Sequence, residues 1–275
     1  MPATRARRLA ALLAVPLVLL VLLAQLAACG DDGDGGDGAS DRGTGSGAGE
    51  PLEGDLTVFA AASLTDAFDD LADAFEAAHP EVDVELNVGP SSGLREQILA
   101  GAPAAVFASA DTSNMDQVVA AGAADDPQVF ATNRLQIVVP AGNPGGVTGL
   151  ADLADPDLLV GLCAEGVPCG DLGREALADA GVTPSVDTEE ADVRALLTKV
   201  EAGDLDAGIV YVTDVLAAGD AVEGIAIPEE HNVVATYPIA TLTGAGDADV
   251  AAAFVALVVS EEGQAILADH GFSAP

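Results

Sequence analysis

From residue 55 to the C-terminus, short apolar segments alternate with amphipathic ones, and this alternation limits the folds open to the chain. The segment LTVFAA at 56–61 predicts a strand, and the apolar residues from Leu64 to Phe75 then recur at helical spacing. Ser63 is predicted as the N-cap of that helix, with Asp66 completing a variant of the capping box. Strands separated by helices predict an α/β fold with parallel sheets that helices cover on both faces.

The predicted elements place several polar turns where strands end and helices begin. Strands are expected at 56–61, 82–88, 104–109, 135–140, 158–163, 207–212, 224–228 and 234–242. Helices are expected after 63 and at 93–101, 112–122, 171–181, 192–204, 213–218, 247–260 and 261–271. Ligands of such sheets bind beyond the carboxyl ends of the strands, where helix N-termini offer unpaired N–H groups and partial positive charge to an anion. The serines in these turns could equally cap their own helices.

The first 28 residues have the plan of a bacterial secretory signal. Three arginines (Arg5, Arg7 and Arg8) precede an apolar run at 9–24, which is shorter than the about 20 residues that a membrane span needs. The run ends in Leu-Ala-Ala-Cys at 26–29, which resembles a lipobox. That resemblance implies a lipoprotein signal peptide at 1–28 and lipid on the Cys29 sulfur. The alternative is an ordinary secreted protein in which Cys29 has no role.

Residues 29–54 lack periodicity and are rich in Gly, Asp and Ser, which predicts a disordered tether after the lipidated cysteine. With an acyl anchor, the folded part would lie at the extracytoplasmic face of the cell membrane.

The charge of the chain excludes one class of partner. The sequence has 45 acidic and 9 basic residues and a formal net charge of −36, and loss of the three signal-peptide arginines makes it −39. Nucleic acid is excluded as a partner, because binding phosphates requires clustered Lys and Arg. The acidity could serve a cation ligand, but the acidic residues are scattered, and this favours a well-solvated surface.

Two cysteines remain once Cys29 is assigned to the lipid. Cys163 and Cys169 are six positions apart, a spacing that fits neither a redox C-x-x-C motif nor a zinc site. Outside the cytoplasm the residues favour a disulfide, with two buried free thiols as the alternative. The histidines, at 79, 231 and 270, form no metal-binding motif, so neither a metal with direct side-chain ligands nor a cofactor is predicted.

An enzymatic alternative arises from the turn GPSSG at 89–93. It fits the G-x-S-x-G pattern of a nucleophile elbow and lies between a predicted strand and helix. Ser91 would be the nucleophile of a serine esterase-like hydrolase, with His231 or His270 as its base.

Together, several segments resemble the molybdate-binding protein of ABC-type molybdate importers, in the order and spacing of that family. The segments are TVFAAASLTDAF (57–68), SSGLREQILAGAPAAVFASADTSNMDQV (91–118), VPCG (167–170), ADVRALLTKVEAGDLDAGIVYVTD (191–214) and GQAILADHGF (263–272). The resemblance covers 55–275. It implies the type II periplasmic-binding-protein fold, in which two α/β lobes joined by crossover strands enclose a ligand cleft. Lobe one would comprise 55–133 and 235–275, and lobe two 134–234.

The resemblance also implies the ligand, its contacts and the partners. The ligand would be molybdate, or tungstate, held through its oxygens by hydroxyl, phenol and backbone N–H donors of Ser63, Ser91, Cys169, Val193 and Tyr211. A disulfide between Cys163 and Cys169 would then brace the loop that carries one of these N–H groups. The chain would be a monomeric capture protein, not an enzyme, that delivers its ligand to an ABC permease and ATPase. A binder of sulfate or another tetrahedral oxyanion is the closest alternative.

Overall fold

The structure is a computed structural model that describes residues 51–244 and 246–275. The signal peptide predicted at 1–28, the lipidated Cys29 and the predicted tether as far as residue 50 lie outside the described residues.

The strands agree with the predicted ones at most positions. They are β1 (Glu53–Ala61), β2 (Glu81–Gly89), β3 (Val106–Ala108), β4 (Gln128–Pro140), β5 (Val160–Cys163), β6 (Val186–Glu190), β7 (Ala207–Tyr211), β8 (Val222–Ala226) and β9 (Val234–Thr241). Two differences matter. β4 begins seven residues before the predicted 135, and β6 was not predicted at all, because its sequence VDTEE contains one apolar residue.

The helices follow the strands as the periodicity predicted. They are α1 (Thr65–Ala78), α2 (Ser91–Leu99), α3 (Thr112–Ala120), α4 (Pro168–Asp179), α5 (Val193–Glu201), α6 (Val212–Ala218), α7 (Ala248–Val259) and α8 (Glu261–Asp269). Within the described ranges no single helix has the length and hydropathy to cross a membrane, while α7 and α8, bent by 61° at their junction, have both when taken together.

The strands form one path that divides at β4 into two parts. The first half-sheet contains β2, β1, β3, β9 and the residues of β4 up to Arg134, and the second contains the rest of β4 with β5, β6, β7 and β8. β1 pairs with β2 and β3 in parallel, and β5 pairs with β6 and β7 in parallel. Within each half-sheet, these parallel strands therefore end at the same edge.

The prediction of purely parallel sheets is wrong for β4, β8 and β9. β4 is antiparallel to β7, β8 and β9, and β9 is antiparallel to β3. The physical reason is that β4 and β9 run side by side in opposite directions. β9 therefore opposes the parallel strands of the first half-sheet, and β4 opposes those of the second. Apolar periodicity predicts which residues are buried but not the direction of a neighbouring strand.

The hydrophobic core explains why these segments form their elements. In α1 the residues Ala67, Phe68, Leu71 and Phe75 recur every three or four positions, and all are buried. The ring of Phe68 packs edge-on against that of Phe130 in β4, with centroids 5.9 Å apart. One continuous buried cluster runs from β1 to β7 through both half-sheets, so the core supports the edges where the strand ends meet.

Candidate functional site

The turns that follow the parallel strands of both half-sheets line one cavity. The empty space in the cavity and in the open solvent at its mouth is together about 210 Å³. The residues that line it are Ala61, Ala62, Ser63, Gly89, Pro90, Ser91, Ala110, Val167, Pro168, Cys169, Asp192, Val193 and Tyr211. On one side they lie at or after the ends of β1, β2 and β3, and on the other after β5 and β6, while Tyr211 is the last residue of β7. The cavity therefore lies where parallel α/β sheets bind ligands.

All the residues predicted to contact a ligand are brought together here. Ser63, Ser91, Cys169, Val193 and Tyr211 line the cavity and are buried. Ser63 and Ser91 belong to the first half-sheet side, and the other three belong to the second. Their contact with a ligand remains a prediction, but their convergence from five separate turns is a property of the structure.

Ser63 does not cap its helix, so the N-cap prediction is wrong. Residues Ala62–Leu64 form a 3-10 turn, α1 begins at Thr65, and no side chain caps it. The Ser63 Oγ instead lies 3.0 Å from the Tyr237 Oη, in a buried hydrogen bond between side chains 174 positions apart. Because β9 brings Tyr237 to this position, the Ser63 hydroxyl is held at the cavity rather than at its own helix.

Ser91 is the first residue of α2 and its hydroxyl has one partner. Its Oγ accepts a hydrogen bond of 3.0 Å from the Ala110 N–H. Because this bond occupies a lone pair, the Ser91 O–H remains free to donate into the cavity. Among the described lining residues there is no histidine that could remove this proton, so the arrangement does not supply the base of the esterase alternative.

Tyr211 has a buried hydroxyl without a partner. Its residue is 1% exposed, and within the described residues its Oη makes no hydrogen bond. The ring packs edge-on against Tyr237, with centroids 6.0 Å apart. Burial raises the pKa of the Tyr211 hydroxyl above its ordinary value of 10, so the group keeps its proton near neutral pH. A buried donor without an acceptor costs free energy, and a ligand can supply the acceptor. The Tyr211 hydroxyl borders a cavity in which a ligand could do so.

Cys169 lies in the first turn of α4. A disulfide, two hydrogen bonds and close backbone packing hold this turn and the loop before it. The sulfurs of Cys163 and Cys169 are joined in a disulfide. Arg174 donates hydrogen bonds to the carbonyl oxygens of Cys163, at 2.7 Å, and Gly170, at 3.0 Å. Gly170 itself allows close packing, because a Cβ there would lie 2.2 Å from the Ala164 oxygen. The loop is therefore rigid where α4 presents its first N–H groups.

Val193 is the first residue of α5, and Asp192 is its N-cap. The Asp192 carboxylate accepts a hydrogen bond of 2.9 Å from the Ala195 N–H, not from that of Val193. The first N–H groups of a helix have no partner in that helix, so the Val193 N–H is available at the cavity. Asp192 is the one carboxylate among the described lining residues, and none of these residues is Lys, Arg or His. Neutral donors thus dominate the site.

Two residues that hold the proposed contacts in place, Tyr237 and Asp214, were not predicted from the sequence. Tyr237 bonds Ser63, and the Asp214 carboxylate accepts a 3.0 Å hydrogen bond from the Tyr211 N–H. The pairing with Ser63 has no local sequence signal, because it depends on the path of β9. Asp214 could have been found, since an acidic residue at the third position of a helix can accept a hydrogen bond from the N–H of the N-cap residue, as Asp214 does from Tyr211.

Burial raises the pKa of the Asp214 carboxyl, and the pH dependence of stability should reveal this shift. Burial, opposed by the Tyr211 N–H and Arg194, raises the pKa of this carboxyl from 3.8 to about 7. Between these values the folded protein holds a proton that the unfolded chain releases. The free energy of unfolding is therefore expected to fall by about 1.4 kcal/mol per pH unit from this group alone. This contribution is fully present below about pH 4 and lost by about pH 7.

Asp214→Asn is expected to remove this part of the pH dependence, because an amide does not titrate. Urea unfolding between pH 5 and 8 measures it, and the difference in stability between variant and wild type should move in the variant's favour as the pH rises. Asp220→Asn makes the same charge change at an exposed position, so its stability difference should stay constant. Equal pH profiles for wild type and Asp214→Asn would contradict the assignment.

Comparison with known proteins places the chain in a family. The model of the bacterial extracellular solute-binding proteins matches residues 56–273. The chain belongs to this family. The molybdate-binding protein ModA of Mycobacterium tuberculosis is 42% identical over 221 residues, which cover 80% of this chain and 85% of that protein. The resemblance seen in the sequence is thus confirmed for the family: the chain is a ModA-like solute-binding protein of the extracytoplasmic space, and not an enzyme.

Solved structures confirm the type II periplasmic-binding-protein fold. The periplasmic molybdate-binding protein of Azotobacter vinelandii superimposes with a TM-score of 0.72 at 21% identity, covering 80% of this chain and 99% of that one. The sulfate-binding protein SubI of M. tuberculosis superimposes equally well, with a TM-score of 0.73 at 20% identity over 80% of this chain and 86% of that one. The fold alone therefore does not distinguish between these two oxyanions.

Proposed function

We propose that this protein captures molybdate outside the cytoplasm and delivers it to an ABC importer. One observation carries the proposal: the residues predicted as ligand contacts line one cavity, and it contains neutral donors with no described Lys, Arg or His. The buried, unpaired hydroxyl of Tyr211 supports it, because a bound oxygen would supply the missing partner. Ser63, Ser91, Cys169, Val193 and Tyr211 are the proposed contacts.

Neutral groups can hold a dianion when they are oriented before it arrives. The N-termini of α2, α4 and α5 meet at the cavity, and each contributes about half a unit of positive charge along with free N–H groups. Hydrogen bonds to an ionised acceptor are about twice as strong as neutral ones. The loop braced by the disulfide and Arg174 requires little ordering when the ligand binds, and this preserves affinity.

The negative charge of the chain does not prevent this binding. At physiological salt the field of an exposed charge is screened within about 8 Å, so scattered acidic side chains contribute little at a closed site. Asp192 is the exception, because it lines the cavity, but one of its oxygens is engaged with the Ala195 N–H.

The site should also select among oxyanions by their protons. Phosphate near neutral pH carries a proton that needs an acceptor, whereas molybdate, tungstate and sulfate carry none. An unpaired O–H in a buried site costs about 1–3 kcal/mol, which disfavours phosphate as long as Asp192 remains the cap of α5. Between sulfate and the larger oxyanions cavity size decides, and here the 42% identity to ModA favours molybdate. We expect tungstate to bind as well.

The organisation of the chain is part of the proposal. Lobe one would comprise 55–133 and 235–275 and lobe two 134–234, a division supported by the change of partners in β4 at Arg134 and Leu135. The signal at 1–28, lipid on Cys29 and the tether would hold this monomer at the outer face of the cell membrane, near the permease and ATPase that receive its ligand.

Calorimetry with the tether-free protein tests the proposed function. Molybdate and tungstate should each bind at one site, while sulfate should bind more weakly and phosphate should give no heat. Heat from sulfate alone would make the chain a sulfate binder, and heat from none of the four anions would contradict an oxyanion-binding function.

A further inference from the structure

A partly buried arginine next to the candidate site joins the two half-sheets. Arg194 follows Val193 in α5, and its guanidinium forms an ion pair with Asp66 in α1, across 128 positions of sequence. Its Nε also points to the Ala62 carbonyl oxygen at 3.4 Å. Ala62 directly precedes Ser63, so Arg194 contacts the segment that carries a proposed ligand donor of the opposite side.

The same guanidinium is also tied to its own side of the cavity. Its Nε lies 3.8 Å from Oδ1 of Asp214, a fully buried carboxylate in the first turn of α6. The other Asp214 oxygen accepts the Tyr211 N–H. Arg194 therefore connects the backbone of Tyr211 with that of Ala62 through one rigid, planar group.

The ion pair between Arg194 and Asp66 can form only when the two half-sheets are close together. Among the ion pairs of the described residues, only that between Arg194 and Asp66 joins a residue of the proposed lobe one (55–133 and 235–275) to a residue of the proposed lobe two (134–234). Both side chains are partly exposed, at 29% for Arg194 and 45% for Asp66, so the pair can separate into water without stranding a buried charge. A contact with these properties can form and break with each cycle of closure.

We infer that Arg194 and Asp66 form a latch that holds the cleft closed over the bound oxyanion. Arg194 is here a positioning residue and does not itself touch the ligand. The inference rests on the proposed function. Because a contact made only in the closed state favours that state, losing it should increase the rate of ligand release. The pair is partly solvated, and such pairs contribute about 0.2–1 kcal/mol, so we expect release to become about two- to fivefold faster.

Asp66→Asn separates the latch from a simple effect of charge. This substitution removes a negative charge close to an anion site, so without a latch it should leave molybdate binding unchanged or make it tighter. With a latch, release should become about two- to fivefold faster. The release rate can be measured by stopped-flow dilution with tyrosine fluorescence, because the chain has two tyrosines and no tryptophan.

Two further substitutions complete the test. Arg194→Lys retains the positive charge, but an ammonium group lacks the planar set of donors with which the guanidinium contacts Asp66 and Ala62 at the same time. This substitution should therefore also speed release. In the double variant with Asp66→Asn, the two effects should not add, since both remove the same contact. Asp73→Asn is the matched control for Asp66→Asn: it removes a negative charge from an exposed position of the same helix, α1, and release should be unchanged.

The outcomes for the latch and for the proposed function differ. If wild type binds no molybdate, the proposed function fails and the latch fails with it. If wild type binds molybdate but Asp66→Asn and Arg194→Lys release it at the wild-type rate, or Asp66→Asn binds it more tightly, the latch alone is overturned. The melting temperature of each ligand-free variant should stay within about 2–4 °C of wild type, since about 1 kcal/mol shifts it by that much.

Discussion

Tyr211→Phe is expected to weaken molybdate binding by about tenfold to a hundredfold while leaving the ligand-free protein at least as stable as wild type. A hydrogen bond to a charged acceptor contributes about 1.5–3 kcal/mol, which accounts for the loss of affinity. Stability is expected to hold or rise because, within the described residues, the buried Tyr211 hydroxyl has no partner to lose. Calorimetry gives the affinity, and urea unfolding gives the stability.

Tyr237→Phe is the matched comparison, since it removes the same atom from the neighbouring tyrosine. The Tyr237 hydroxyl is bonded to Ser63, so its loss should lower the stability of the ligand-free protein by about 1 kcal/mol. The two variants should thus differ in the sign of the stability change. If Tyr211→Phe bound molybdate as tightly as wild type, the phenol would not be a ligand contact.

Val193→Pro is expected to reduce molybdate affinity at least tenfold by removing a single backbone donor. Proline is favoured at the first position of a helix, where its missing N–H breaks no bond within the helix. The preceding Asp192 is extended, with φ −157° and ψ 174°, as a residue before proline requires. The protein should therefore fold, and calorimetry should report the loss of one hydrogen bond to the anion.

Val193→Ala is the control for the lost side chain. It shortens a buried residue that is 3% exposed, so it should cost about 1–3 kcal/mol of stability, but it retains the N–H. Its affinity for molybdate should stay within about twofold of wild type. Equal losses of affinity in the proline and alanine variants would indicate that packing, and not the N–H group, matters at this position.

The turns that form the site were predictable from local signals at strand ends, and the family resemblance supplied the ligand contacts within them. Ser91, Cys169 and Tyr211 lie at predicted boundaries between a strand and a helix, which can be identified from periodicity and turn residues. Val193 lies at the start of a predicted helix, after a polar strand that was not predicted. The structure needed only to bring these turns to one place. Parallel pairing does this, because it aligns the carboxyl ends of β1, β2 and β3, and likewise of β5, β6 and β7.

The features that escaped prediction depend on contacts distant in sequence. Ser63 was predicted both as a helix cap and as a ligand contact, and the cap is wrong because the hydroxyl of Ser63 is bonded to Tyr237 in β9. The antiparallel course of β4 and β9 was missed because a buried strand has the same apolar pattern in either direction. β6 was missed because it is largely exposed. The partnership of Arg194 with Asp66 likewise follows from the fold.

A crystal structure of the protein grown with molybdate tests most directly whether neutral donors from both half-sheets hold the oxyanion. The anomalous signal of molybdenum should give one peak in the cavity, with oxygens about 2.7–3.2 Å from the hydroxyls of Ser63, Ser91 and Tyr211 and the N–H groups of Cys169 and Val193. A peak outside this cavity, or one whose oxygens bind arginine or lysine side chains, would contradict the account.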